Sequence, residues 1–89
     1  MAEAAGATVS IEYCWECSYT LLAVRASQEI LMEYEDRIAQ LILIPGADGT
    51  FEVNVDGKLV FSKLRTARHA ESGELVEKVG AALGARSQA

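Results

Sequence analysis

The only two cysteines of the chain, Cys14 and Cys17, form a Cys-x-x-Cys motif between two segments with different hydrophobic periods. Before the motif, residues 8–13 alternate apolar and polar side chains, which predicts a β-strand. After it, residues 18–36 repeat apolar side chains at spacings of three and four, which predicts an α-helix. Two thiols therefore lie where a strand gives way to a helix. This placement makes Cys14 and Cys17 candidate catalytic residues of a redox site.

Three further segments of the chain have the patterns of strands. Residues 38–44 form an almost continuous apolar run that ends at Pro45, which favours an interior strand covered on both faces. Residues 51–55 alternate strictly, and residues 58–61 follow them after an Asp-Gly dipeptide. Asp-Gly between two such runs is a strong local signal of a β-hairpin, so these two strands are expected to be antiparallel neighbours.

A final helix is predicted between Ser72, a good N-cap, and Gly84, a residue typical of the position just past a helix end. Residues 1–7 and 85–89 are expected to be flexible tails around one domain at residues 8–84. The element order is then β-α-β-β-β-α. Strands joined through a helix are parallel, and a hairpin adds antiparallel strands to the same sheet. We therefore expect an α/β fold, a thioredoxin-like two-layer sandwich with a four-stranded mixed sheet and two helices.

Composition argues against several classes of function. The chain has 89 residues, 51% hydrophobic and 24% charged, as in a globular domain. Its net charge is −5 and its basic residues are scattered, so we expect no nucleic-acid partner. No run approaches the roughly 20 apolar residues that cross a bilayer, and no basic segment precedes an apolar one at the N-terminus. We expect no membrane association, a cytoplasmic location, and neither a cofactor nor a bound metal.

Three stretches, taken together, resemble one protein family. They are residues 9–17 with the cysteine motif, residues 43–46 with Leu-Ile-Pro-Gly, and residues 49–63 with Phe-Glu-Val and Asp-Gly-Lys-Leu-Val. Across residues 8–83 their order and spacing resemble the selenoprotein W, T and H related (Rdx) family of thioredoxin-like proteins, and its bacterial members in particular. In the animal selenoproteins of this group, the position that matches Cys17 is selenocysteine. The resemblance implies a thiol-disulfide or peroxide-linked redox role.

The chemistry of exchange requires an exposed thiolate and a second cysteine that resolves the mixed disulfide. Because a helix N-terminus favours thiolate over thiol, we expect both sulfur atoms close together at the helix start and within reach of solvent. By analogy with thioredoxins, Cys14 is the attacking thiol and Cys17 resolves it, whereas the family resemblance points to Cys17. The negative charge of Glu16 opposes a thiolate beside it.

Three residues are candidates for substrate binding: Trp15, Gly49 and Thr50. Trp15 is expected either to form an apolar lip for a partner peptide or to be buried against the sheet edge. Thioredoxins have a cis-proline opposite the disulfide, but Pro45 lies six residues before Phe51. Gly49 and Thr50 are candidates to take that place and offer their backbone to a substrate chain. An ordinary turn is the alternative interpretation of Gly49.

The expected partners are proteins that carry thiols or disulfides, with glutathione as an alternative. His69 is a candidate proton shuttle, and Arg65 and Arg68 are candidates to bind an anionic partner, although solvated loop residues are the simpler interpretation. Two alternatives to an oxidoreductase stay open. One is an interaction module switched by oxidation of the cysteines, and the other is a zinc site shared between two chains, because one Cys-x-x-Cys is half a structural zinc site. A homodimer is also open.

Overall fold

The computed structural model describes residues 6–87 and contains four strands and three helices in that range. The strands are β1 (Ala7–Cys14), β2 (Ile38–Gly46), β3 (Phe51–Val55) and β4 (Lys58–Ser62). The helices are α1 (Thr20–Tyr34), the four-residue α2 (Lys63–Thr66) and α3 (Glu74–Ser87), with a 3₁₀ turn at Glu35–Arg37.

A single mixed sheet in the order β2-β1-β3-β4 forms one layer of the protein. Strand β1 pairs parallel with β2 and antiparallel with β3, and β3 pairs antiparallel with β4. Helix α1 connects the parallel pair, and α1 and α3 lie side by side as the second layer. The predicted fold class, a thioredoxin-like α/β fold with a four-stranded mixed sheet, is confirmed.

The hydrophobic core lies between the sheet and these two helices. Side chains of β1 alternate so that Val9 and Ile11 are buried while their neighbours lie on the open face. Alanines at 23 and 26 let α1 approach the sheet closely. One side of α3 is buried, at Leu75, Val79 and Leu83, which recur at a spacing of four residues. The two hydrophobic periods of the sequence therefore identify the core faces.

The expectation that the second strand is interior is wrong, because β2 is an edge strand. Its apolar run has one side toward α1, and Ile42 and Ile44 on the other side are exposed. None of the nine residues of β2 is charged. The opposite edge differs, since β4 has five residues, begins at Lys58 and pairs through a bulge at Val53 and Asn54. Short length, lysine and bulges are features that discourage pairing with another chain.

Several predicted element boundaries shift in the structure. Helix α1 begins at Thr20 rather than near residue 18, and the segment expected to be a loop after β4 begins with the short helix α2. Helix α3 continues past Gly84 to Ser87, because this glycine adopts helical geometry instead of ending the helix. Of the two predicted tails, residues 1–5 and 88–89 lie outside the described part of the chain.

Two Asp-Gly pairs form the tight connections on either side of β3. Asp48 and Gly49 have φ of 61° and 79°, and Asp56 and Gly57 have φ of 52° and 82°. Positive φ at both central residues is the geometry of a type I′ turn, which favours glycine at the second position. The hairpin between β3 and β4 is therefore confirmed. The other turn brings the chain from the end of β2 to the start of β3.

We expect Gly80→Ala to lower the free energy of unfolding by about 1 kcal/mol, because overpacking outweighs the gain in helix propensity. A Cβ at Gly80 would occupy the space of the Tyr34 hydroxyl, which donates a 3.1 Å hydrogen bond to the carbonyl oxygen of Val76. Gly84→Ala is the matched control, because a Cβ there meets no atom within 4 Å. It should stabilise the protein by about 0.5–1 kcal/mol in the same urea titration. Equal effects of the two substitutions would contradict this packing.

An ion pair joins the loop after α2 to the start of α3. Arg68 donates two hydrogen bonds to the carboxylate of Glu74, at 2.7 and 2.9 Å, and the backbone N–H of Glu71 donates a third at 2.9 Å. These bonds, led by that from Arg68, lower the pKa of Glu74 to about 2 from an ordinary value near 4.5. The ionised carboxylate therefore stabilises the folded state.

This pKa shift predicts part of the acid sensitivity of the protein. The contribution of Glu74 is complete above its unfolded pKa near 4.5 and is lost as the pH falls toward about 2. We expect the free energy of unfolding to fall less steeply in Glu74→Gln than in the wild type over that range, in urea titrations at a series of pH values. Glu77→Gln, at an exposed position of the same helix, should follow the wild-type slope. Identical slopes for wild type and Glu74→Gln would contradict the role of the pair.

Candidate functional site

The two cysteines lie at the end of β1 and in the turn that follows it. Cys14 is the last residue of the strand, and Cys17 lies within the turn at residues 15–18. The two residues form a disulfide, with their Cα atoms 5.3 Å apart. The predicted pairing of the motif is therefore present in the structure.

Backbone hydrogen bonds hold this turn to both neighbouring strands. The N–H of Cys14 donates to the carbonyl oxygen of Thr50 at 2.9 Å, and that of Trp15 donates to Gly46 at 3.3 Å. Within the turn, the N–H of Ser18 donates to Trp15 at 3.1 Å and that of Tyr19 donates to Cys14 at 3.3 Å. The start of the motif is thus held by both neighbouring strands. The residue that follows the turn, Tyr19, is hydrogen-bonded back to Cys14 before α1 begins.

The two sulfur-bearing residues differ sharply in exposure. Cys14 is only 1% exposed, whereas Cys17 is exposed on the turn. The expectation that both sulfur atoms lie within reach of solvent is therefore wrong for Cys14. Strand β1 continues through Cys14, and its pairing at this level involves Gly46 of β2 on one side and Thr50 before β3 on the other. The same burial weighs against the hypothesis that Cys14 is the attacking thiol, and which cysteine attacks stays a prediction.

The expected position of the motif within the first helical turn is also wrong. Helix α1 begins at Thr20, three residues after Cys17, and its N-cap residue Tyr19 makes no side-chain capping bond. Because the effect of a helix dipole falls off within its first turn, α1 stabilises a thiolate at Cys17 less than the sequence suggested. The exposed side chain of Glu16 adds a negative charge nearby.

Of the three candidate substrate-binding residues, Trp15 lies within the turn, and Gly49 and Thr50 lie in the connection between β2 and β3 that is bonded to Cys14. Trp15 is 59% exposed, which agrees with a lip and not with burial against the sheet. Gly49 lies in the type I′ turn that leads to β3. Both backbone polar groups of Thr50 make bonds within the protein, since its N–H donates to Ala47 at 3.3 Å and its carbonyl accepts from Cys14. Binding of substrate by these residues stays a prediction.

The structure adds Gly46 and Glu12 to the site, two residues that the sequence did not single out for it. A Cβ at Gly46 would lie 2.8 Å from a carboxylate oxygen of Glu12 and 3.1 Å from the hydroxyl oxygen of Thr50. Gly46 therefore makes room for these two side chains beside Cys14. The Pro-Gly dipeptide at the end of an apolar run was the available signal, but periodicity alone does not show what lies opposite it.

The other candidate residues lie in α2, at Arg65, and in the segment between α2 and α3, at Arg68 and His69. The ring of His69 contacts that of Tyr19 edge-on, with centroids 4.8 Å apart. Arg68 is committed to Glu74, as described above. The side chain of Arg65 is exposed. Within residues 6–87, no three side chains of the types that hold metals come together. No helix in that range is long and apolar enough to cross a membrane.

Comparison with known proteins agrees with the resemblance noted in the sequence. The mouse protein called migration and invasion enhancer 1 is 30% identical over 86 residues, which cover 83% of this chain and 73% of that protein. Its bovine counterpart is 28% identical over the same shares of the two chains. The crystal structure of a selenoprotein W-related protein from Vibrio cholerae has a TM-score of 0.82 at 26% identity, and covers 88% of this chain and 98% of its own.

A second crystal structure, of a protein from Bordetella parapertussis, supports the fold alone. It has a TM-score of 0.79 at 24% identity, and the match covers 83% of this chain and 94% of that one. The model of the Rdx family matches residues 8–81, which include both cysteines, all four strands except Ala7 of β1, and more than half of α3. The chain belongs to the Rdx family.

Proposed function

We propose that the protein exchanges disulfides with partner proteins through Cys17, and that Cys14 resolves the mixed disulfide. The observation that carries this proposal is the difference in exposure, since Cys14 is 1% exposed and Cys17 lies open on a turn. A thiolate must reach the sulfur that it attacks, so a partner has access to Cys17 and not to Cys14. The role of each cysteine follows from its position in the fold.

In the reductive direction, the thiolate of Cys17 attacks one sulfur of a partner disulfide. A bond forms between Cys17 and that sulfur, and the other partner sulfur leaves as a thiolate. The thiolate of Cys14 then attacks the sulfur of Cys17, which forms the intramolecular disulfide and releases the second partner sulfur. The partner gains two electrons and the cysteine pair loses two. The proposal includes a cytoplasmic location, where thiol reductants return the pair to the dithiol state.

A protein partner fits the surroundings of Cys17 better than glutathione does. Trp15 is 59% exposed beside it, and Leu21 is exposed at the start of α1. Exposed aromatic and aliphatic side chains of this kind gain stability when a partner surface covers them. Glutathione carries a net negative charge, but Glu16 is also negative and Arg68 is already bound to Glu74. We therefore assign Trp15 to partner binding.

One observation also favours the second candidate, an interaction module switched by oxidation. The outer side of α1 carries exposed apolar side chains at Leu21, Val24 and Met32. This side is continuous with the redox turn at the N-terminal end of the helix, so a bound partner would contact both. In this alternative, oxidation would change affinity for a partner that carries no disulfide. No contact among the described residues favours the shared zinc site.

The roles of the two cysteines predict opposite results for the two serine variants. We expect Cys14→Ser to form a stable mixed disulfide with a peptide disulfide, because Cys17 is left accessible without its resolving partner. Cys17→Ser should react at least about tenfold more slowly, because the remaining thiol is buried. Mass spectrometry after acid quenching measures both rates. Equal trapping by the two variants, or faster trapping by Cys17→Ser, would contradict the assignment.

The assignment of Trp15 predicts a selective effect on partner reactions. Trp15→Ala should slow reduction of a peptide disulfide with apolar flanking residues severalfold, because the partner loses its apolar contact. Reaction with a small reagent such as oxidised dithiothreitol should be unchanged. Met32→Ala, at an exposed position farther along α1, is the control and should leave both rates unchanged. A loss of both rates in Trp15→Ala would show that Trp15 shapes the disulfide itself and does not bind partners.

A further inference from the structure

The hydroxyl oxygen of Thr50 is fully buried and has no hydrogen-bond partner among the described residues. Buried hydroxyl groups are nearly always hydrogen-bonded, because burial removes their hydrogen bonds to water and an unpaired group then costs free energy. An unsatisfied group of this kind calls for an explanation, and redox or catalytic sites are among the places where one occurs. Its location next to the disulfide supplies the explanation.

The path of the chain brings Thr50 to the end of β1. Strand β1 lies between β2 and β3 in the sheet, so the turn at residues 47–50 must pass the end of β1 on its way from one to the other. Thr50 lies opposite Cys14, one residue beyond the ladder pair of Tyr13 and Phe51. The N–H of Cys14 donates to the carbonyl of Thr50 at 2.9 Å, which fixes this juxtaposition.

The hydroxyl and the side chain of Cys14 lie on the same face of the sheet. A Cβ at Gly46 would meet both Glu12 and the Thr50 hydroxyl, at 2.8 and 3.1 Å, so the hydroxyl is on the face that bears Glu12. Side chains two residues apart on a strand share a face, which places Cys14 with Glu12. Gly46 pairs with Cys14 from the other side and contributes no side chain. The buried hydroxyl and the buried cysteine therefore lie on the same face at the same end of β1.

The sulfur of Cys14 becomes a strong hydrogen-bond acceptor only when the disulfide opens. When a partner thiolate attacks the sulfur of Cys17, a new bond forms there, the bond between Cys17 and Cys14 breaks, and its electron pair leaves on Cys14 as a thiolate. Water cannot solvate this buried charge. Glu12 on β1, Glu52 on β3 and Glu16 in the turn are carboxylates whose negative charge opposes it. Lys63, whose Nζ lies 5.7 Å from the ring centre of Tyr19, brings a positive charge to the residue that follows the turn.

We infer that the hydroxyl of Thr50 donates a hydrogen bond to the thiolate of Cys14 when the disulfide opens at Cys17. The disulfide form leaves this hydroxyl unpaired, and the open form supplies its acceptor. Thr50 thus stabilises the thiolate of Cys14 in both directions of exchange. This sulfur leaves when the disulfide opens, and it attacks Cys17 when the mixed disulfide is resolved. The inference rests on the proposed function for the direction of attack, and Thr50 acts on the resolving cysteine and not on the partner.

The test measures ionisation of Cys14 in a Cys17→Ser background, by thiolate absorbance, with no partner present. Thr50→Val keeps the shape of the side chain and removes the hydroxyl, and we expect it to lower the thiolate to thiol ratio about tenfold at a given pH, the size of one hydrogen bond to a charged group. Thr50→Ser should retain the wild-type ratio. Thr8→Val, on the same face of β1 at its far end, is the matched control and should also retain it.

Opening of the disulfide provides a second measurement. In the chain with both cysteines, Thr50→Val should slow opening by dithiothreitol severalfold, because a leaving thiol with a higher pKa leaves more slowly. An unchanged thiolate ratio and opening rate in Thr50→Val would overturn the inference. Equal losses in Thr50→Ser and Thr50→Val would overturn it as well, because the hydroxyl would then not be the cause.

A measurement on the natural Thr50 covers the case in which Thr50→Val does not fold. In Cys17→Ser, the side-chain NMR signals of Thr50 should shift with pH at the same midpoint as Cys14, and signals that ignore this midpoint would overturn the inference. These measurements need no partner protein. A hydroxyl effect on Cys14 without any exchange with peptide disulfides would therefore defeat the proposed function and leave the role of Thr50 intact.

Discussion

The hydrogen bond from the backbone of Cys14 to the carbonyl of Thr50, 2.9 Å long, fixes the redox turn to the sheet. Together with the bond from Trp15 to Gly46, it continues the pairing of β1 on both sides to the last residues before the turn. A strand held from both sides cannot carry its last residue outward when the disulfide opens. The freedom to move belongs to the turn, and so to Cys17.

This constraint makes the two cysteines chemically unequal although the motif is symmetric in sequence. Cys14 is buried at the end of β1, and Cys17 is exposed on the turn. The resemblance to the selenoproteins agrees with this division, because their selenocysteine matches Cys17. In those selenoproteins the more reactive atom, selenium, thus occupies the position that is exposed in this chain. In the proposed exchange, burial of Cys14 suits it to the step inside the protein.

Much of the fold could be predicted because the period of the hydrophobic pattern changes at each element. The edge position of β2 could not, since a continuous apolar run is also what a buried strand shows, and Ile42 and Ile44 prove to be exposed. The pairing of the cysteines could be predicted from their spacing. The burial of Cys14 could not, because no periodicity marks the last residue of a strand. The position of the Thr50 hydroxyl depends on how a turn crosses β1, which is a tertiary property.

Along the free, uncharged edge of β2, the series of backbone N–H donors ends at Pro45. Because the carbonyl of Gly46 accepts from Trp15, the backbone groups of Gly46 point toward β1, and those of Pro45 point away from the sheet. Proline has no N–H, so an added strand would find donors at Leu41 and Leu43 but none at Pro45. Such a strand must part from the edge one residue before the level of Cys14. A residue that cannot donate thus separates the pairing edge from the level of Cys14.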